Sequence, residues 1–215
     1  MNFLLLWPSF LSHFLTAGPA PVRVTLTQVN KAAYVQARKE RVAAMPALAH
    51  PVMKRKGQIV ITTTSSKRVF TDKVSPDDET QQRTHKYLGF LPKTKEHLIE
   101  TSYWEGADYT LIESDGSKIK LISPPSYSPN QQNIITSSCG LVYEMMPNSV
   151  QVLTRKNGRP ALVWKVYPTQ WEPAEVFWVS DSVAYLKQQR FKFNENKEAM
   201  PYEPARFTYA KLLVH

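Results

Sequence analysis

The sequence predicts an all-β protein of antiparallel meanders, on three observations. From Lys56 onward apolar residues recur with a period of two, not with the 3.6 of a helix. Pairs of such alternating runs flank residues with turn chemistry. An aromatic-x-Pro pattern followed at a few residues by an apolar pair or triple then marks three sites, with prolines 37 and 44 residues apart, a spacing that fits one four-stranded unit. With 215 residues and 42% apolar content the chain has enough material to bury a core.

The elements follow in order. Residues 3–15 form an apolar stretch followed by the small residues Thr16-Ala17-Gly18-Pro19-Ala20, which predicts a signal peptide over 1–20 and a periplasmic or secreted product. No cysteine near this segment offers a lipid attachment point, and no apolar run reaches the roughly eighteen residues of a stable membrane span. Residues 21–56 read as a basic, partly helical arm, with good helix formers from about Thr27 to Met45-Pro46 and a thin stripe at Val29, Ala33 and Ala37. Eight basic residues and one acid lie in 1–56, against 19 and 17 in the remainder. Most of the net charge of +9 therefore belongs to the arm, and nucleic acid is not an expected partner of the chain.

Residues 57–215 form the predicted β-repeat domain. Gln58–Thr63 and Lys67–Thr71 flank Ser65-Ser66 as a hairpin. Ala107, Tyr109 and Leu111 alternate up to Ser114-Asp115-Gly116-Ser117, and Ile119 and Leu121 resume the alternation. An Asp-Gly pair between two such runs is a strong hairpin signal, because both turn positions need positive φ. Ser149–Arg155 and Ala161–Tyr167 flank Asn157-Gly158, and Glu175–Val179 and Val183–Leu186 flank Ser180-Asp181-Ser182. The aromatic-x-Pro copies are Phe90-Leu91-Pro92, Tyr127-Ser128-Pro129 and Trp171-Glu172-Pro173. Proline fixes φ and cannot donate to a ladder, so it suits the start of a strand, with the aromatic filling the gap between sheets. The expected architecture is small and propeller-like, with about four sheets, the fourth made by pairing 58–72 with the C-terminal run 205–214. The alternative is a twisted β-sandwich.

The segments Tyr103–Ile112, Pro125–Pro129 and Trp171–Trp178 resemble secreted bacterial β-repeat proteins of uncharacterised activity, and Ser128-Pro129 is distantly similar to propeller repeats of the TolB and WD40 type. The resemblance covers about residues 86–192. Asn130-Gln131 stands where those repeats carry Asp-Gly, and no Trp-Asp or Gly-His signature ends a unit. It implies a fold and export, and brings no catalytic residue.

The chemistry-bearing residues are sparse. None of His13, His50, His85, His97 and His215 has metal-ligand spacing to another or to the lone Cys139, so neither a metal nor a cofactor is expected. No Gly-x-Ser-x-Gly, phosphate-cradling loop or dinucleotide fingerprint occurs. Asp77-Asp78-Glu79 lacks the alternation and glycine of a calcium loop. Lys54-Arg55-Lys56 reads as a solvated run; the competing reading makes the arm an anchor to a polyanion. Carboxylates beside aromatics remain: Glu105 and Asp108 with Tyr103 and Trp104, and Glu172 and Glu175 with Trp171. Such groupings hold sugars or basic peptides, so Tyr103, Trp104, Glu105, Asp108, Trp171 and Glu172 are the candidate binding residues. The function expected is a non-enzymatic exported domain that binds a protein or glycan partner, and the alternative is a secreted hydrolase using the same carboxylates.

Overall fold

The computed structural model describes residues 21–142, 146–196 and 198–215; the signal peptide expected over 1–20 lies outside the described residues. Strand β1 (Val24–Val29) and helix α1 (Lys31–Lys39) come first, followed by the hairpin β2 (Gln58–Thr62) and β3 (Lys67–Thr71). A sheet of β4 (Thr84–Leu91), β5 (Glu96–Tyr103), β6 (Gly106–Ile112) and β7 (Lys118–Leu121) runs in sequence order. So does the next, of β8 (Ser126–Tyr127), β9 (Asn133–Ser138), β10 (Ser149–Lys156) and β11 (Arg159–Val166). The closing sheet joins β12 (Trp171–Trp178), β13 (Val183–Phe193) and β14 (Ala199–Val214) to β1, in the order β1-β14-β13-β12. Every pairing is antiparallel, and the four hairpins expected from turn chemistry all form.

The units stack face to face. Because successive strand residues point to opposite faces, neighbouring apolar residues enter different cores. On β5, Leu98 joins Leu91, Leu111, Tyr127, Ile134 and Leu153 between the second and third units, whereas Ile99 joins Ile59, Ile61, Phe70 and Ile112 against the hairpin. On β9, Ile134 belongs to the first of these cores, and Ile135 packs with Val150, Val152, Trp178, Leu186 and Leu212 against the closing sheet. Sheets buried on both faces need the near-continuous apolar runs seen here.

Three expectations change. The C-terminal run pairs with β1, in register from Val24↔Val214 to Val29↔Tyr209, and not with 58–72, which is a hairpin by itself. The helix spans only Lys31–Lys39. The β-branched Val24, Thr25, Thr27 and Val29 favour a strand, and Asn30 marks the change by accepting the Ala33 amide on its side chain at 2.8 Å. The buried stripe is Tyr34 and Ala37, packed on Phe177, and not Val29-Ala33-Ala37.

The third expectation concerns the repeat. After α1 the chain crosses the molecule as an extended strap. The Val42 amide donates to the Trp178 carbonyl (2.9 Å), the Ala44 carbonyl accepts from the Tyr127 amide (2.8 Å), Ala49 exchanges two bonds with Phe90 (2.9 and 2.7 Å), and Arg55 pairs with Gln58. The strap thus covers β12, β8 and β4, the strands at one edge of each four-stranded sheet. Phe90, Tyr127 and Trp178 are the equivalent aromatics, each followed after one residue by a turn that starts at Pro92, Pro129 or Ser180. Pro173 is not equivalent to the other two prolines; it sits inside β12, at a bulge.

Candidate functional site

Tyr103 ends β5 and Gly106 begins β6, the two residues pairing across a turn made of Trp104 and Glu105. The turn places Trp104 58% exposed and Tyr103 38% exposed. The Tyr103 hydroxyl donates to Asp108 Oδ2 at 3.1 Å, Lys120 Nζ donates to the same oxygen at 2.9 Å, and the Arg83 guanidinium lies 5.3 Å from the Tyr103 ring centre. Partial burial, then the Asp108 carboxylate, pushes the Tyr103 phenol up, and the bond to Asp108 raises the Lys120 ammonium. Among the described residues no other ring or cation lies against the Trp104 indole.

Two open hollows meet at Tyr103. One, about 320 Å³, is lined by Glu79, Gln82, Thr84, Ser102, Tyr103 and Trp104. The other, about 210 Å³, is lined by Tyr103, Glu105, Gly106, Ala107, Asp108 and Met146. Tyr103, Trp104, Glu105 and Asp108 are therefore brought together. Trp171 and Glu172 line neither hollow. Trp171 packs on the core of the closing sheet, and Glu172 Oε1 accepts the Leu141 amide at 2.6 Å. Nor does Glu172 pair with Glu175, which takes the Tyr34 hydroxyl (2.7 Å), Arg38 (3.1 Å) and Arg41 (3.7 Å). Both carboxylates bind their own neighbours.

Other reactive side chains are likewise engaged. His85 Nδ1 meets Thr101 Oγ1 at 2.9 Å, yet Asp72 accepts the backbone amide of His85, not its ring, so the grouping is no nucleophile-base-acid relay. Burial lowers the His85 imidazole below its ordinary range despite the opposing Asp72 charge. Against the burial that opposes it, the Lys54 contact and the His85 amide hold the Asp72 carboxyl down. His97 packs on Phe90 and bonds the Tyr87 hydroxyl at 2.8 Å, and burial lowers it too. Cys139 is exposed as a residue, yet partial burial of its sulfur, then Glu172, pushes that thiol up, away from the thiolate a nucleophile needs. Among the described residues no three His, Cys, Asp or Glu side chains group as metal ligands, and no helix is long and apolar enough to cross a membrane.

No protein family model matches the chain, and neither a curated protein nor a solved structure matches it.

The sequence reading missed one group of charges. Glu96, at the start of β5, and Arg155, near the end of β10, form a buried ion pair between neighbouring sheets, and Glu113 lies close by. Burial, then the nearby Asp115 and Glu96 charges, raises Glu113 against the pull of Arg159. A signal was present: Glu96 is two residues from the inward-facing Leu98, and Arg155 two from Leu153, so strand alternation already turns both charges inward.

Proposed function

We propose that the protein is an exported, non-enzymatic β-repeat module that binds a partner through the Tyr103–Trp104 end of the β4–β7 sheet, its stacked units arranged in the manner of a small propeller. The observation that carries the reading is Trp104: a large aromatic held 58% exposed on a two-residue turn, beside a tyrosine anchored by Asp108. Aromatic side chains held ready in this way dominate binding energy at recognition surfaces. A hydrolase reading has less support, since Glu172 and Glu175 are engaged elsewhere and Asp108 is paired with Lys120. A polyanion anchor also loses ground, because Arg38 and Arg41 contact Glu175 and Lys54 contacts Asp72. The propeller-like arrangement draws support from successive four-stranded units stacked in chain order and from a last sheet that uses β1.

A photo-reactive amino acid placed at position 104, with a second at the exposed Leu162 as control, tests the binding surface. Cross-links in extract from the native cells should concentrate at 104; equal labelling at both sites overturns the assignment. N-terminal sequencing of the secreted or periplasmic product tests export, and an intact Met1 found only in the cytosol overturns it.

A further inference from the structure

The chemistry around Trp104 narrows the partner, on the reading that this turn is the binding surface. We infer that the ligand is a neutral oligosaccharide, laid across the ridge of Tyr103 and Trp104, with a pyranose ring against the indole and hydroxyls reaching the hollows on either side. The aromatic face suits the C–H face of a sugar ring. The rest of the larger hollow is Glu79, Gln82, Thr84 and Ser102: two hydroxyls, an amide and a carboxylate, with no aliphatic side chain. A protein partner would meet a desolvated apolar surround at an aromatic anchor. A sugar instead presents closely spaced hydroxyls, each donor and acceptor, which an amide and hydroxyls can meet from both sides.

Charge and shape then exclude other chains. Nucleic acid needs cations along its phosphates, yet the linings contribute Glu79, Glu105 and Asp108 and no cation, while Lys120 contacts Asp108 and Arg83 lies against the Tyr103 ring. The same carboxylates oppose an acidic polysaccharide. Both hollows are open and both are lined by Tyr103, which suits a chain with sugar units on either side of that ring more than a single enclosed sugar. A Cβ at Gly106 meets nothing within 4 Å, which leaves the smaller hollow free along that side.

Isothermal titration of the full chain with neutral hexasaccharides (cellohexaose, laminarihexaose, xylohexaose, mannohexaose and chitohexaose), and with oligogalacturonate as the acidic control, tests the inference. At least one neutral chain should bind and the acidic one should not. Trp104→Ala should weaken that binding by about tenfold or more. Gly106→Leu, which puts a side chain into the smaller hollow beside its cross-strand partner Tyr103, should weaken it in a protein with unchanged thermal unfolding. Failure of every neutral chain at millimolar concentration overturns the saccharide, as does binding that Trp104→Ala leaves unchanged. Cross-links from position 104 to a protein, with no saccharide bound, would overturn the saccharide while leaving the binding surface intact.

Discussion

Arg155 closes on Glu96 across the junction of two sheets, both ends of its guanidinium fork on one carboxylate, with side chains only 3% and 2% exposed. The remaining bonds are satisfied as well. Arg155 Nε donates to the Gln131 carbonyl (2.9 Å), Nη1 to the Gly158 carbonyl (3.1 Å), and the Thr94 hydroxyl donates to Glu96 (2.9 Å). A buried pair of this kind sets position more than it adds stability, because taking two charges out of water offsets much of their attraction.

Removing one partner should therefore be costly. Arg155→Met leaves Glu96 buried and unpaired and is expected to lose about 3–5 kcal/mol in urea unfolding, whereas adding Glu96→Leu should recover most of that loss. A single variant that loses less than about 1 kcal/mol would show that the pair is not buried as described.

The closing sheet depends on β1. Leu26 pairs with Leu212 and packs on the core there, so Leu26→Asp should destabilise the protein by about 2–3 kcal/mol, while Thr27→Asp, on the exposed side, should stay within about 0.5 kcal/mol. Equal midpoints for the two variants in chemical denaturation would argue that β1 is not docked.

Gly89 stands at a bulge of β4 with φ +145°, and a Cβ there would lie 2.7 Å from Leu48 Cβ, in the strap. Gly89→Ala combines backbone strain with that collision, and a loss of about 1–3 kcal/mol is expected. Gly106→Ala, in open space, is the matched control. Similar melting temperatures for the two would remove the close approach between strap and sheet.

His85 and His97 are held below the ordinary histidine value, so the fold favours their neutral forms. Their contribution to stability is present above pH of about 6.5 and is lost as the pH falls through the lowered folded values. Glu113 runs the other way. Its raised folded value means that stability is present below the ordinary glutamate range and lost as the pH rises, so Glu113→Gln should stabilise the protein near neutrality and change little in acid. Proton NMR titration of the two imidazoles, with denaturation of the Glu113 variant at both pH values, checks the signs. Imidazoles that titrate at or above about 6.5 would contradict the burial described here.

Two of the four hairpins were legible because Gly116, Asn157 and Gly158 adopt the positive φ that their residue types announce, and the other two because serine-rich turns separate alternating runs. The exposed Tyr103–Trp104 turn was also readable, because Gly106 and the alternation on either side bracket it. What escaped is set by distance along the chain. Extended residues 42–55 carry no local mark of being a strap, since their hydrogen bonds go to residues as far away as Trp178. The third repeat was misaligned because Trp178-Val179-Ser180 has no proline, while Trp171-Glu172-Pro173 has one in a different setting. Glu172 and Glu175 looked like a pair because they are near in sequence, but one serves Leu141 and the other α1.

The union of β1 with β14 also bears on how the molecule is made. Six residues near the start of the described chain find partners near its end, with contacts that span 190 positions. Closing so large a loop is slow, so β12, β13 and β14 are expected to pair before β1 docks, with one side of β14 unfilled until then. In a concentrated refolding mixture the same register can be filled by the β1 of another molecule, and exchanged dimers are the side product such a fold invites.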